Sequence, residues 1–525
     1  VNTSNLGEIL AGRAREFPSE LAIVEPRWPF GWREVTYAAL AEEADSLAAR
    51  FQAAGLQRGD AVLVLVPVSA KLYAVLAALF RCGLTAVFLD PSAGKQHVAR
   101  CVEMVPPRAV VRSPKAMLLD FSMPSLRRIP RKLTVSAVFS GWSVQKVTGA
   151  DPVPGEPSDA ALITFTSGST GQPKAAVRSH AFLWRQYEVL RETMAFEPGE
   201  REITTLPIFV LANLAAGIAT VIPPGDLRRP GFIAAKPVLQ SMQARAVSRI
   251  TASPSFLERL VEALEGSGAT CESVCKIFTG GAPVFPTLVE RARRTFPNAR
   301  VVSVYGSTEA EPIAELDAAE VSVEERVVMQ VGAGLLVGKP IGPIDCRVIR
   351  AAWGQPLGPF SRQEFDAMAM PLAEAGEVVV AGEHVLPGYL NRADDPETKI
   401  SVEGRVWHRT GDLGRFDAAG CLWLLGRASA VIGDSHGTLY PFALEVSLSF
   451  LPSLRRSAVI GADGKRFLFV EWKRQPGKEE KEVLQRRAEA ASVAQVIEEA
   501  IPVDARHNAK VNYPALRERL ARRLG

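Results

Sequence analysis

Continuous apolar runs bounded by turn residues constrain this chain more than any other feature. The run Asp60-Ala-Val-Leu-Val-Leu-Val-Pro67 has no polar side chain between its ends. A strand with one face in water alternates in polarity, whereas an unbroken apolar run needs cover on both faces. Thr85-Ala-Val-Phe-Leu-Asp90 has the same character. Helical apolar spacing appears over Tyr37–Ala54 and again over Lys71–Phe80, between the two runs. Strand, helix, strand in that order implies parallel pairing through a crossover helix, so residues 1–150 are expected to form a largely parallel sheet. The Pro-rich stretch Asp151–Asp159 reads as a linker, and the alternation resumes from Ala160 to about Ala314. Residues 376–425 change character: Glu377-Val-Val-Val-Ala381 and Cys421-Leu-Trp-Leu-Leu425 are short strands parted by Gly and Asp, the pattern of an antiparallel unit. Near the end, Ala458-Val-Ile460 and Phe467–Trp472 flank Gly461-Ala-Asp-Gly464, which predicts a hairpin, and Lys478–Glu499 reads as a charged, Ala-rich helix.

Composition narrows the function classes. A chain of 525 residues with 47% hydrophobic content can bury several cores, and two to four domains are expected. A net charge of +4 is too small an excess to argue for nucleic acid. The basic clusters Arg127–Lys132 and Arg517–Arg523 read as solvated surface. The six cysteines are scattered and no Cys/His set has zinc spacing, which suits reduced thiols in a cytoplasmic protein. No leader-like segment or membrane-length apolar run appears. Peripheral association with a membrane, or a complex with pathway enzymes, remains open.

The segment Ala161-Leu-Ile-Thr-Phe-Thr-Ser-Gly-Ser-Thr-Gly-Gln-Pro-Lys174 carries the most chemistry. An apolar strand runs into a loop of small and hydroxylated residues. Such a loop can present backbone N–H groups, and the hydroxyls of Thr166, Ser167, Ser169 and Thr170, to phosphate oxygens, with Gly168 and Gly171 supplying backbone freedom. Lys174 adds a positive charge. The spacing is not that of a Walker A loop, which needs Gly-Lys-Ser/Thr at the start of a helix.

This segment resembles the phosphate-loop signature of the adenylate-forming superfamily, which includes acyl-CoA synthetases, luciferases and peptide-synthetase adenylation domains. Further segments resemble that family's motifs in the family's order. They are Leu79–Pro91, Phe278-Thr-Gly-Gly-Ala-Pro283, Tyr305-Gly-Ser-Thr-Glu309, Gly376-Glu377 with Gly388-Tyr389, Arg409-Thr-Gly-Asp-Leu413, Gly426-Arg427, and Arg506-His-Asn-Ala-Lys-Val511. The resemblance covers essentially the whole chain. It implies an α/β fold: a large N-terminal domain of stacked sheets plus a β unit over 1–425 (subregions about 1–150, 151–340 and 341–425), and a small mobile α+β domain over 426–525. It also implies residue roles. Gly281, Ala282 and Pro283 would lie beside adenine, with Gly280 on the acyl side. Tyr305 would offer its ring to adenine within the nucleotide-binding motif that begins Tyr305-Gly306-Ser307. Thr308 would donate to the α-phosphate, Glu309 would hold Mg²⁺, Asp412 would accept from the ribose hydroxyls, Arg427 would meet the nucleotide, and Lys510 would be the catalytic lysine. ATP and Mg²⁺ are the implied cofactors. Adenylation turns a carboxylate, a poor electrophile, into a mixed anhydride with AMP. Two anions must meet in that step, so cationic and N–H groups are needed to offset their repulsion.

Two departures from the family pattern bear on substrate and product. The acyl-side segment Leu206-Pro-Ile-Phe209-Val210-Leu-Ala-Asn-Leu-Ala-Ala-Gly217 has Val210 where amino-acid-activating relatives place an Asp, so an apolar acid is expected, held in part by Phe209 and Val210. The hinge segment reads Gly426-Arg-Ala-Ser429, with Ser in place of the usual acid. Aligned without gaps, His436 and Thr438 replace the Gly and Arg found where CoA ligases pass pantetheine; a one-residue shift restores a Gly at 437. CoA use is thereby put in question. Together with Gly334-Leu-Leu-Val-Gly-Lys-Pro340, these segments resemble the β-lactone synthetases of bacterial olefin biosynthesis. That branch implies a β-hydroxy fatty acid whose own hydroxyl closes the ring. Ligation to CoA or an acyl carrier is the alternative, and a non-catalytic nucleotide- or lipid-binding relative a third.

Overall fold

The computed structural model describes residues 5–27, 31–136, 153, 155–167, 172–503 and 510–524. The fold is mixed α/β, and the chain divides into two compact units. The first comprises Val1–Pro224, Arg245–Val247 and Glu383–Asp395; the second comprises Gly225–Ala244, Ser248–Gly382 and Pro396–Gly525.

In the first unit, the strands Arg131–Thr134, Ala109–Arg112, Ala61–Leu65, Thr85–Phe88, Ala160–Ser167 and Pro173–Ser179 pair in that order. The first five are parallel and the last is antiparallel. The apolar runs expected to be covered on both faces are so covered: Leu63, Val87, Val110 and Ile163 pack into one core with Val98 and Leu126 from the crossovers. The expected crossover helix spans Ala70–Arg81, and the Ser69 side chain caps it by accepting from the Leu72 N–H. A second set of strands in this unit pairs Trp32–Thr36, Leu21–Pro26, Ala219–Val221 and Arg201–Thr204. Buried Asn213 ties the helix Pro207–Ala216 to these strands, donating to Glu202 Oε1 at 2.9 Å and Thr220 Oγ1 at 3.1 Å.

In the second unit, Arg249–Ala252, Lys276–Gly280 and Arg300–Ser307 are parallel neighbours. Beyond them the pairing turns antiparallel through Ala310–Asp317 and Leu335–Pro340 to Leu422–Arg427, Arg405–Phe416, Gly376–Ala381 and Asp345–Ile349. The expected C-terminal hairpin pairs Leu454–Ala462 with Lys465–Trp472. Its turn residues Asp463 and Gly464 have φ of 49° and 69°, the conformation that suits the twist of a tight hairpin.

One expected element is corrected. The helix read over Lys478–Glu499 ends at Ala490, and Val493–Glu498 is a strand parallel to Lys465–Trp472. The helix keeps Leu484 and Ala488 buried, in a core against which Val493 and Val496 pack. Ile497 fills a neighbouring core with Phe467 and Phe469. β-Branched residues at this spacing gain more from a half-buried sheet than from another helical turn. Among the described residues, no helix is long and apolar enough to cross a membrane.

Candidate functional site

In the first unit, the phosphate-loop strand and its neighbour form a hairpin. Thr166 pairs with Lys174 and Ser167 with Pro173. Gly168, Ser169, Thr170 and Gly171 lie outside the described residues. Lys174 is 4% exposed, with its ammonium 3.5 Å from the Asp394 carbonyl and 5.5 Å from the centre of the Tyr389 ring. Tyr389 is itself fixed by a bridge to Ala176, by the Leu390 N–H donating to the Ala175 carbonyl at 2.9 Å, and by its own N–H donating to Asp395 Oδ1 at 2.8 Å. The sequence reading placed Tyr389 in a motif without giving it a role; here its ring faces the lysine. Phe209 and Val210 sit on the helix Pro207–Ala216 and are both buried.

In the second unit, two of the expected segments lie at the ends of neighbouring strands. Gly280 closes Lys276–Gly280 and pairs with Val304, one residue before Tyr305. A Cβ at Gly280 would stand 2.6 Å from the Val304 carbonyl oxygen, so only glycine lets these strands close. Gly281, Ala282 and Pro283 follow as a solvent-accessible loop. Ligand sites in open parallel sheets lie at such carboxyl ends. Tyr305, Gly306 and Ser307 end the next strand, and Thr308 and Glu309 form the turn into Ala310–Asp317. The Glu309 N–H donates to Ser307 Oγ at 3.3 Å.

Asp412 is the hub of this half. The Tyr305 hydroxyl donates to its Oδ2 at 2.8 Å, and Arg427 donates to its Oδ1 at 3.0 Å and to the Thr410 carbonyl at 3.0 Å. The Asp412 N–H donates to Thr410 Oγ1 at 3.0 Å, and that hydroxyl donates to the Val378 carbonyl at 2.9 Å. Burial, together with the adjacent Asp412 carboxylate, pushes the Tyr305 phenol well above its ordinary value. Tyr305 therefore stays a neutral donor across the working pH range, and it faces a carboxylate that keeps lone pairs for further donors. The same carboxylate raises Arg427.

A pair that the sequence reading placed in motifs without giving it a role supports this hub. Arg409 and Glu377 are fully buried and meet through two parallel bonds of 2.8 Å. Arg409 also donates to the carbonyls of Gln355 at 2.6 Å and Ala352 at 2.8 Å, and lies over the Trp353 ring. Gly411, at φ 72°, leaves room for that ring: a Cβ would come within 2.8 Å of it. The motif Arg409-Thr-Gly-Asp412 thus divides its labour. Its first three residues lock the strand, and the fourth faces outward. The lone charge of Glu377 in the otherwise apolar strand Gly376–Ala381 was the available signal.

Lys510 is exposed. Its neighbour Val511 bridges to Val503, and the helix Tyr513–Leu524 follows, anchored by Leu516 and Leu520. The Tyr513 hydroxyl donates to buried Glu445 at 2.9 Å. Burial raises that carboxyl to about 7 despite the bonds it accepts from the Val459 N–H and Tyr513. In the hinge segment, Ile432–Asp434 and Gly437–Leu439 form a hairpin with Ser435 and His436 as its turn. A buried ion pair of Asp434 with Arg466 holds it, and Arg466 also donates to the Gly437 carbonyl at 2.7 Å.

Comparison with known proteins gives a consistent picture. The model of the AMP-binding enzyme family matches residues 10–390. The olefin beta-lactone synthetase of Stenotrophomonas maltophilia is 30% identical over 98% of this chain and 97% of its own length. That of Xanthomonas campestris pv. campestris is 30% identical with the same two shares. Among solved structures, the O-succinylbenzoate coenzyme A synthetase of Bacillus subtilis, in complex with ATP and magnesium ion, has the same fold. The TM-score is 0.77, with 21% identity over 97% of this chain and 99% of that one.

Proposed function

The chain belongs to the AMP-binding enzyme family and is an ATP-dependent, AMP-forming enzyme; from that premise we propose that it adenylates a β-hydroxy fatty acid and closes the acyl-adenylate to a β-lactone. Tyr305 and Asp412 take the nucleoside, with the carboxylate accepting from the ribose hydroxyls, and Arg427 supports it. The segment Thr166–Lys174, as its resemblance to the family's phosphate loop implies, would take the phosphates. Glu309 offers a carboxylate oxygen on a solvent-accessible turn, the hard donor that Mg²⁺ prefers. When bound there, the ion would supply positive charge beside the phosphates. A carboxylate oxygen of the acid attacks the α-phosphorus, and the bond to the pyrophosphate oxygen breaks. Lys510, carried by the small domain from Gly426 onward, offsets the charge that builds in that step.

The mixed anhydride then needs a nucleophile. The β-hydroxyl oxygen attacks the carboxyl carbon, the bond to AMP breaks, and the hydroxyl proton leaves to solvent. The attack is intramolecular, so no second substrate has to be positioned. The observation that carries this reading is the hinge segment: aligned without gaps, it has His436 where relatives that pass pantetheine carry glycine, and a one-residue shift would restore Gly437. Near-full-length likeness to two olefin beta-lactone synthetases supports it.

The test is product analysis. With ATP and a β-hydroxy fatty acid, AMP should accumulate without CoA, and mass spectrometry should find the acid minus water. Turnover that requires CoA and yields only a thioester would sink the proposal and favour the ligase reading. A second test concerns the nucleotide. Asp412→Ala removes a charged acceptor of the ribose hydroxyls, so ATP should bind about 1.5–3 kcal/mol more weakly. The mutant should also lose the preference for ATP over 2′-deoxy-ATP. Equal weakening of both nucleotides in calorimetry would reduce Asp412 to a partner of Tyr305 and Arg427.

A further inference from the structure

We propose that the short helices between Pro114 and Arg127 form a docking surface for an anionic phospholipid bilayer. The segment comprises the turns Pro114–Leu118, Leu119–Ser122 and Pro124–Arg127, one after another. Its inner face is fixed. Met123, Leu126 and Ile129 are buried in the core of the parallel sheet, and Leu119 packs against them. The Ser113 hydroxyl caps the first turn by accepting from the Ala116 N–H, and Arg112 holds Asp120 at 2.7 Å. The outer face is also apolar. Phe121 is 88% exposed, Leu118 65% and Met117 42%. A helix that buries one apolar face in its own core has no folding reason to present phenylalanine, leucine and methionine on the other.

An outward apolar face marks a place that meets another apolar medium. The surrounding charge selects which. From Arg112 to Lys132 the only acid is Asp120, already paired with Arg112 and Lys132. Lys115, Arg127 and Arg128 are exposed, and among the described residues no carboxylate pairs with them. Apolar side chains flanked by unpaired cations suit the boundary between acyl chains and anionic headgroups, where the two attractions add. The cluster Arg127–Lys132, read from sequence as plain solvated surface, thus acquires a ligand chemistry once Phe121 is seen beside it facing out. The inference does not depend on which acid the enzyme activates or on its product.

The experiment is sedimentation of the full chain with vesicles of equal parts phosphatidylcholine and phosphatidylglycerol, and with phosphatidylcholine alone. The wild type should pellet with the anionic vesicles and much less with the neutral ones. The double substitution Leu118→Ser/Phe121→Ser should lower the bound fraction at least about tenfold, since each removes an insertable side chain. Arg127→Glu/Arg128→Glu should lower it further at low salt than at high salt. Acid-dependent pyrophosphate exchange with a short soluble acid should be unchanged in both variants, which shows that they are folded. The proposal fails if the wild type does not pellet with anionic vesicles, or if it pellets equally after the apolar pair is removed. A concentration-dependent dimer that Phe121→Ser abolishes would place a second copy of the chain on this face instead and overturn the proposal.

Discussion

Replacing Lys510 with alanine slows acyl-adenylate formation by about 10²–10³-fold, the usual effect of removing one well-placed charge or donor from a developing anion, and leaves ATP affinity nearly unchanged. The split follows from where the residue sits. Lys510 is exposed, between the Val503–Val511 bridge and the helix Tyr513–Leu524. A charge that meets the phosphates only as pyrophosphate begins to leave lowers the barrier without adding to ground-state binding. Acid-dependent pyrophosphate exchange measures the first effect, and calorimetric titration with ATP the second. Exchange at the wild-type rate in the mutant would remove Lys510 from the chemistry. Loss of ATP binding in step with rate would make it a ground-state contact. The neighbouring Tyr513–Glu445 bond anchors the start of the helix that follows Lys510.

Glu377→Ala produces the largest loss of stability among the substitutions considered, about 3–5 kcal/mol. The magnitude comes from what is left behind. Arg409 is fully buried, and its guanidinium would keep the carbonyls of Ala352 and Gln355 but no counter-charge. An uncompensated charge in a low-dielectric interior costs more than the pair contributes. Replacing both partners by apolar residues of similar size, Arg409→Met with Glu377→Leu, should therefore recover much of the loss. Denaturant unfolding of the wild type, the single and the double variant forms the cycle. Equal losses in the single and the double variant would contradict the argument. The double variant should still bind nucleotide less well than the wild type, because the strand that presents Asp412 would lose its fixed register.

Much of the fold was legible because it rests on local patterns. Asp60–Pro67 and Thr85–Asp90 read as doubly covered strands and became the parallel neighbours Ala61–Leu65 and Thr85–Phe88. An apolar side chain with no polar alternation has no solution but burial on both faces. The hairpin around Gly461–Gly464 was equally plain, since its turn needs residues that accept positive φ. Lys478–Glu499 misled because charge and alanine content favour a helix up to Ala490. The strand after it owes its state to a partner, Lys465–Trp472, that composition does not reveal.

The site followed the same division. The sequence by itself determined the chemistry on offer: a hydroxyl-rich loop ending in Lys174, the carboxylates Glu309 and Asp412, the lysine at 510, and Val210 where amino-acid-activating relatives place an acid. These are properties of residue type and order, and they need no coordinates. Only the tertiary structure decided which groups touch. It set Tyr389 beside Lys174, and Tyr305 and Arg427 on the two oxygens of Asp412. It buried Arg409 against Glu377 and turned Phe121 outward. Each of these pairs residues far apart in the chain, or distinguishes an inner from an outer face. Contact and burial depend on how strands are ordered across a sheet, and strand order is fixed by the packing of the whole unit rather than by any single segment.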